Sequence, residues 1–138
     1  MKRVLRVISV IVASMMPMMA SAGNFWVANI GSYHFDRTNP LNEINLGAGF
    51  GRKSEFCGGE IGGYWNSHDR FAVYGVGFCE TPGTVRAGLF LGAASGYQQI
   101  PDNRHGVIPI AGLQVTAGPV QLRVNAEVAF LQLRFEIE

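Results

Sequence analysis

The fold is decided by residues 120–137, which read VQLRVNAEVAFLQLRFEI. In the first half, Val120, Leu122, Val124 and Ala126 alternate with Gln121, Arg123, Asn125 and Glu127. In the second half, Leu131, Leu133, Phe135 and Ile137 alternate with Gln132, Arg134 and Glu136. Strict alternation of this kind indicates β-strands with one apolar face and one polar face. Because almost nothing separates the two runs, we predict a tight antiparallel hairpin.

The start of the chain has the features of a secretory signal peptide. Three basic residues precede an apolar run at 7–19, and Ala20-Ser21-Ala22 fits the small-residue rule for cleavage. The apolar run is shorter than the roughly 20 residues that a membrane-spanning helix needs. We therefore predict a signal peptide at 1–22 and a mature domain at 23–138. Behind such a leader, alternating strands are typical of a closed barrel with a lipid-facing exterior and a polar lumen.

Composition limits what the mature chain can be. Its length of about 116 residues allows one domain. Without the three basic residues of the leader, eight basic residues stand against ten acidic ones. The resulting net charge near −2 argues against nucleic acid as a partner. The eighteen glycines of the chain disfavour helices and are typical of strand bends and close approaches.

The two cysteines are predicted to form a disulfide. If the hairpin around the polar turn 66–70 is centred on His68, the numbers of paired residues add up to 136. Cys57 and Cys79 meet this condition, and directly opposed strand residues are close enough for a bridge. An exported protein reaches an oxidising compartment, so we expect a Cys57–Cys79 bond that contributes roughly 3 kcal/mol. The alternative is two free cysteines that face each other; a metal site lacks a ligand set.

The whole mature chain is predicted to form an eight-stranded antiparallel up-and-down transmembrane β-barrel. The strands are expected near 25–35, 43–52, 56–65, 71–80, 85–95, 107–116, 120–127 and 130–137. The connections after strands one, three and five are more polar than the tight turns after strands two, four and six. In an up-and-down barrel the odd-numbered connections share one rim, and in outer-membrane barrels the longer set faces outside.

This topology gathers polar residues at one rim. The candidates are His34, Asp36, Ser67, His68, Asp69, Asp102, Arg104 and His105. A histidine beside a serine and a carboxylate can activate the hydroxyl as a nucleophile, so Ser67, His34 and His68 are candidate catalytic residues. Asp36, Asp69 and His105 are candidate binding residues. The alternative is that solvated loops simply collect polar side chains.

Four charged residues sit at positions that can face the lumen: Glu60, Arg123, Glu127 and Arg134. Because buried charges must be paired, we expect a lattice of Glu–Arg contacts to fill the barrel. An eight-stranded barrel is just wide enough for side chains or one small ligand, so no pore is expected. Aromatic residues near strand ends suit membrane-interface girdles, and they also suit a soluble core. They are Trp26, Tyr33, Phe35, Tyr64, Trp65, Phe71, Tyr97 and Phe130.

Four segments of the mature chain carry short, glycine-rich motifs. They are Phe35-Asp36-Arg37 with Leu41-Asn42-Glu43 and Gly47-Ala48-Gly49-Phe50-Gly51; the hairpin 58–80; Leu89–Gly96 with Ile108-Pro109; and Gly118-Pro119-Val120 with Leu133-Arg134-Phe135. Together they resemble the outer-membrane lipid A palmitoyltransferase family, the PagP-like barrels. The resemblance covers most of the mature chain.

The resemblance implies transfer of a palmitoyl chain from a phospholipid to lipid A by rim residues that include a histidine, an aspartate and a serine. Ser67 falls on the family's serine. Asn66 falls on its aspartate, which makes Asn66 a candidate binding residue, and Ile30 falls on its histidine. His34 lies on the same side of the strand as Ile30. If the chain is an enzyme, His34 or His68 is expected to replace the missing base.

The functional expectation is a small monomeric barrel in the outer membrane of a Gram-negative-type cell envelope. Its partners are expected to be lipopolysaccharide and phospholipid, with no cofactor and no metal. The residues leave open whether it is catalytic; an acyltransferase acting on membrane lipid at the outer rim is the alternative. A second alternative is a soluble secreted barrel that binds a small apolar ligand.

Overall fold

The computed structural model describes residues 23–100, 103 and 105–137, and these form a closed β-barrel. The strands are β1 (Gly23–His34), β2 (Gly47–Lys53), β3 (Cys57–Trp65), β4 (Phe71–Glu80), β5 (Val85–Ala94), β6 (Ile108–Ala117), β7 (Val120–Val124) and β8 (Val128–Ile137). Each strand pairs antiparallel with the next, and β1 pairs with β8. The predicted eight-stranded up-and-down barrel is confirmed. The predicted signal peptide lies outside the described residues.

The barrel has two ends that differ in their connections. The loop end carries the connections 35–46, 66–70, 95–107 and 125–127, and the turn end carries 54–56, 81–84 and 118–119. No helix in the described part of the chain is long and apolar enough to cross a membrane.

The alternation in the last hairpin places apolar side chains outside and polar ones inside. In β7, Leu122 is exposed on the outer wall and Arg123 is buried in the lumen. In β8, Phe135 is exposed and Arg134 is buried. In the other strands successive residues also point to opposite faces, but their lumen side includes apolar residues such as Phe25. The barrel therefore has a largely apolar outer wall around a lumen that holds both buried charges and apolar side chains.

Inward glycines of β2 make room for lumen aromatics. A Cβ atom at Gly51 would lie 2.0 Å from Cζ of Phe25, and one at Gly49 would lie 2.6 Å from the hydroxyl of Tyr74. Both distances are far inside van der Waals contact, so any larger residue at these positions would force the Phe25 or Tyr74 side chain to move. The glycine-rich run at 47–51 thus has a packing role: it provides a flat wall against which the Phe25 and Tyr74 side chains lie.

The predicted disulfide is confirmed. Cys57 and Cys79 are directly opposed in the β3–β4 ladder and are bonded to each other. The register of this hairpin continues to the pair Trp65 and Phe71, so the turn spans 66–70 as expected. Cys79 is exposed on the outer wall near the turn end. The bridge therefore joins two strands on the outer surface of the barrel.

Two predicted strand boundaries are wrong. β7 ends at Val124, because the Asn125 side-chain oxygen accepts the backbone N–H groups of Glu127 and Val128, each at 2.8 Å, and closes a turn. Glu127 is consequently exposed at the loop end, not in the lumen as predicted. β2 begins at Gly47 instead of near residue 43, because residues 43–46 belong to the connection 35–46, which hydrogen-bonds to β1 and β3 at the loop end.

The aromatic residues near strand ends divide into two groups. Trp26, Tyr33, Phe35, Trp65 and Phe71 are exposed on the outside of the barrel. Tyr64 and Tyr97 are buried in the lumen at the loop end, where their hydroxyl oxygens lie 2.7 Å apart. Phe130 also lies on the lumen side, where it lines a cavity. The exterior position that a girdle requires is therefore met by the first group and not by Tyr64, Tyr97 or Phe130.

Candidate functional site

The middle of the lumen holds a bidentate ion pair. Arg123 donates from Nη2 to Oε2 of Glu60 at 2.9 Å and from Nη1 to Oε1 at 3.3 Å. The hydroxyl of Tyr74 also donates to Glu60. Arg123 additionally donates from Nε to Gln114 at 3.1 Å. Both charges are buried and hydrogen-bonded, as the expected Glu–Arg lattice requires.

A second cluster fills the lumen at the turn end around the carboxylate of Glu80. It accepts Nζ of Lys53 at 2.9 Å, Nε2 of Gln114 at 3.0 Å and Nη1 of Arg134 at 3.2 Å. Nε of Arg86 lies 3.1 Å away. Sequence reasoning predicted Arg134 in the lumen but missed Glu80, Lys53 and Arg86. The alternation in β4 contained the signal for Glu80, which shares its face with Phe78 and Val76.

At the loop end, the connection 35–46 is tied across the rim. The Ser32 backbone N–H donates to the Glu43 carbonyl at 2.9 Å, and the Trp65 N–H donates to the Leu46 carbonyl at 2.9 Å. The buried side chain of Asn45 donates to the Trp65 carbonyl at 3.0 Å. These contacts attach the connection to the ends of both β1 and β3, next to Ser67.

Ser67 is buried among other neutral polar groups. Its Oγ lies 3.5 Å from Oγ of Ser32 and 3.4 Å from Nδ2 of Asn45. Ser32 in turn donates to the Asn45 side-chain oxygen. Within the described residues, no histidine hydrogen-bonds to the Ser67 hydroxyl. The arrangement satisfies the hydroxyl without placing a general base on it.

The two candidate histidines lie at the same rim with other contacts. Nδ1 of His34 is 4.0 Å from Oε1 of Glu43, and the same carboxylate oxygen accepts the His34 backbone N–H at 3.2 Å and a contact from Arg37. The His68 ring meets the Tyr97 ring edge-to-face, with centroids 6.0 Å apart. Each histidine therefore contacts a group other than Ser67.

Asn66 has an architectural role. It is fully buried, and its side-chain oxygen accepts the backbone N–H groups of His68 at 3.0 Å and Arg70 at 3.1 Å. Its Nδ2 donates to the Gly96 carbonyl at 2.8 Å. Asn66 thus shapes the turn 66–70 and joins it to the connection 95–107. An aspartate could accept at the turn but could not donate to Gly96 while ionised.

The remaining binding candidates lie on the outside of the loop end. Asp36 is exposed, and its pKa lies below the usual range because the Thr38 backbone N–H donates to its carboxylate at 2.9 Å. Asp69 adopts a positive φ of 58° and accepts Nδ2 of Asn42 at 3.2 Å. His105 is exposed. Asp102 and Arg104 lie outside the described residues.

The part of the lumen toward the loop end contains a cavity of about 40 Å³. Its walls include Tyr64, Tyr74, Ile110 and Phe130. The barrel wall is incomplete beside it, because β7 pairs with β6 only from Leu113 to Ala117. Such a space holds about one or two water molecules.

Within the described residues, no group of three or more histidine, cysteine, aspartate or glutamate side chains is arranged to hold a metal ion. A scan against models of known protein families found no match, and a search of the curated proteins also found none.

Proposed function

We propose that the mature chain is a small outer-membrane barrel that contacts lipid along its whole wall and carries out no catalysis. The observation that carries this proposal is the orientation of the side chains. Large apolar residues such as Leu89, Leu113 and Ile61 are exposed on the outer wall, whereas Glu60, Arg123 and Arg134 are buried in the lumen.

The apolar outer wall would behave differently in water and in a bilayer. In water, an apolar wall of this extent would drive aggregation, because soluble monomers rarely expose contiguous apolar patches above a few hundred Å². In a bilayer, a closed barrel satisfies its ladder hydrogen bonds internally and presents apolar side chains to hydrocarbon. The orientation therefore supports a lipid environment over an aqueous one.

Aromatic residues at both ends of the outer wall support the same environment. Trp26 packs against Phe50 near the turn end with ring centroids 5.1 Å apart. Tyr33 packs against Phe35 at the loop end with centroids 6.1 Å apart. Tryptophan and tyrosine are enriched where a membrane meets water. On this proposal the loop end faces outside the cell, with lipopolysaccharide and phospholipid as partners of a monomer.

Two features argue against transport and catalysis. Among the residues that the structure describes, paired charges and aromatic rings fill the lumen and leave no continuous channel for a solute. At the rim, Ser67 contacts a hydroxyl and an amide, and Asn66 holds two connections together. These contacts account for both residues without a reaction.

Membrane fractionation tests the proposal. The full chain, expressed with its leader, is expected in the outer-membrane fraction, resistant to extraction at alkaline pH and soluble in detergent. The folded barrel should migrate differently from the boiled protein on a gel. A mature protein that stays monomeric and folded in buffer without detergent would support the soluble alternative instead.

An acyltransferase is the second candidate, and one observation favours it. Residues Ile108–Gly112 of β6 have no ladder partner on β7, so the wall is open at the loop end beside the Ile110 and Phe130 side chains. Such an opening is a route by which an acyl chain could enter from the bilayer. Mass spectrometry of lipid A and phospholipids, with and without expression, separates the candidates. Our proposal predicts identical acyl profiles; an added acyl chain that disappears in Ser67→Ala would establish the enzyme.

A further inference from the structure

The turn end of the lumen opens into a recess of about 560 Å³. Thr84, Arg86, Arg134 and Glu136 contribute to its lining. A recess of this volume is in the range of small-molecule sites. The recess lies at the opposite end of the barrel from Ser67 and the other rim candidates of the loop end.

The recess borders a cluster of charged side chains that is more positive than negative. Three cations from three strands, Lys53, Arg86 and Arg134, converge on Glu80, whose side chain has no exposed surface. Oε2 of Glu80 also accepts two neutral donors, Nε2 of Gln114 at 3.0 Å and the hydroxyl of Thr116 at 3.4 Å. This carboxylate is fully engaged, and it balances only one of the three positive charges.

The second carboxylate, Glu136, is held loosely. Its side chain is 46% exposed, and its Oε1 lies 3.4 Å from both Nη2 of Arg86 and Nε of Arg134. Charge-assisted contacts of good geometry are nearer 2.8 Å. Glu136 is the second residue from the end of the last strand, so it can leave this position without disturbing the barrel wall.

Arg134 also has unused hydrogen-bonding capacity. It is 2% exposed, and its Nη2 has no hydrogen-bond partner within the described part of the chain. Its guanidinium lies over the Phe25 ring at 4.0 Å from the centroid, which holds its plane fixed. A preorganised guanidinium of this kind is suited to bidentate recognition of an oxyanion.

We propose that this recess binds a small phosphate-bearing anion and that Glu136 occupies the anion position when the ligand is absent. When Glu136 swings out, Lys53, Arg86 and Arg134 face the single carboxylate of Glu80. The two uncompensated positive charges match a phosphate dianion better than a carboxylate. The phosphate belongs either to a diffusible molecule or to a phospholipid headgroup, and the proposal holds in whichever compartment the barrel resides.

Phosphate titration of the folded mature protein in an uncharged detergent tests the proposal. The probe is inorganic phosphate at low ionic strength, followed by calorimetry and by side-chain NMR signals of arginine. Because a charge-assisted hydrogen bond contributes about 1.5–3 kcal/mol, Glu136→Gln should bind phosphate about tenfold or more tightly than the wild type. Arg86→Gln should bind it about tenfold or more weakly.

Arg52→Gln is the matched control. Arg52 is exposed on the outer wall of β2, one residue before Lys53, so its loss changes the net charge equally at the same end of the barrel. Its phosphate affinity should equal that of the wild type. Equal weakening in Arg52→Gln and Arg86→Gln would overturn the proposal, because it would show general charge attraction. Heat-modifiable gel mobility confirms that each variant is folded.

A second titration distinguishes the two phosphate sources. Short-chain phosphatidic acid is added to the same micelles in place of inorganic phosphate. Saturation by the free anion alone assigns a diffusible ligand, and saturation by the lipid alone assigns a headgroup. If neither probe saturates in Glu136→Gln, no anion site exists there. Phosphate binding and membrane fractionation are independent measurements. The anion-site proposal and the outer-membrane proposal can therefore each fail without the other.

Discussion

The outer wall and the lumen are formed by the same strands, one residue apart, yet they are chemically opposite. Leu89 on the outer wall is 64% exposed, whereas Arg123 in the lumen is 4% exposed. In a water-soluble barrel the large apolar side chains would fill the lumen and the charges would face solvent. The difference shows that this chain stabilises its lumen by paired charges and aromatic packing, and on our proposal its apolar outer surface faces hydrocarbon.

Loss of one partner in the lumen should have the largest effect. Arg123→Met removes the two hydrogen bonds that Arg123 donates to Glu60 and leaves a buried carboxylate without its cation. We expect the free energy of unfolding to fall by about 3–5 kcal/mol. The measurement is denaturant unfolding of the barrel in detergent or bilayers.

Two controls sharpen this prediction. Arg52→Met, on the outer wall, should change the free energy of unfolding by less than about 1 kcal/mol. Glu60→Met combined with Arg123→Met should lose less stability than Arg123→Met alone, because no unpaired charge remains. An Arg123→Met protein as stable as Arg52→Met would contradict the paired-lumen account.

A charge on the outer wall should have the next largest effect, and it should depend on depth. Leu89 and Val85 lie on the same face of β5 and are both 64% exposed, but Leu89 is mid-strand and Val85 begins the strand at the turn end. In a bilayer, Leu89→Arg should cost roughly 2–4 kcal/mol and Val85→Arg roughly 0–1 kcal/mol. Urea titration of the two variants in lipid vesicles measures the difference; equal, small losses would argue for an aqueous wall.

Much of this architecture was predictable from alternation and spacing alone. The period-2 pattern predicted β7 and β8 and the lumen positions of Arg123 and Arg134, because a strand presents successive residues to opposite faces. The hairpin centre at His68 predicted the Cys57–Cys79 bond. These features depend on local period and register, which the sequence carries directly.

The features that escaped prediction depend on local turn chemistry or on contacts between distant strands. β7 stops early because the Asn125 side chain captures two backbone N–H groups. The contacts of Glu80 with Lys53 and Arg134 join β4 to β2 and β8, and they follow from the stagger of strands in the closed barrel. At the rim, the predicted residues that the structure describes do share one end, but their pairwise contacts could not be read from spacing.

The rim should show the smallest effect. Ser67→Ala removes weak contacts to Ser32 and Asn45, at 3.5 Å and 3.4 Å. We expect a loss of about 1 kcal/mol or less in the free energy of unfolding and an unchanged envelope lipid profile. His34→Ala serves as the comparison at the same rim. A changed lipid profile in either variant would assign the rim a chemical role that the wall and lumen lack.

The most direct test of the central claim is quenching of a single tryptophan by lipids with brominated acyl chains. With Trp26 and Trp65 replaced by phenylalanine, tryptophan is placed at Leu89 on the outer wall or at Phe90 in the lumen, adjacent positions on β5. The account predicts strong quenching for Leu89→Trp and little for Phe90→Trp in vesicles. Quenching of Phe90→Trp with Leu89→Trp protected, or of neither, would contradict an outer wall that faces hydrocarbon.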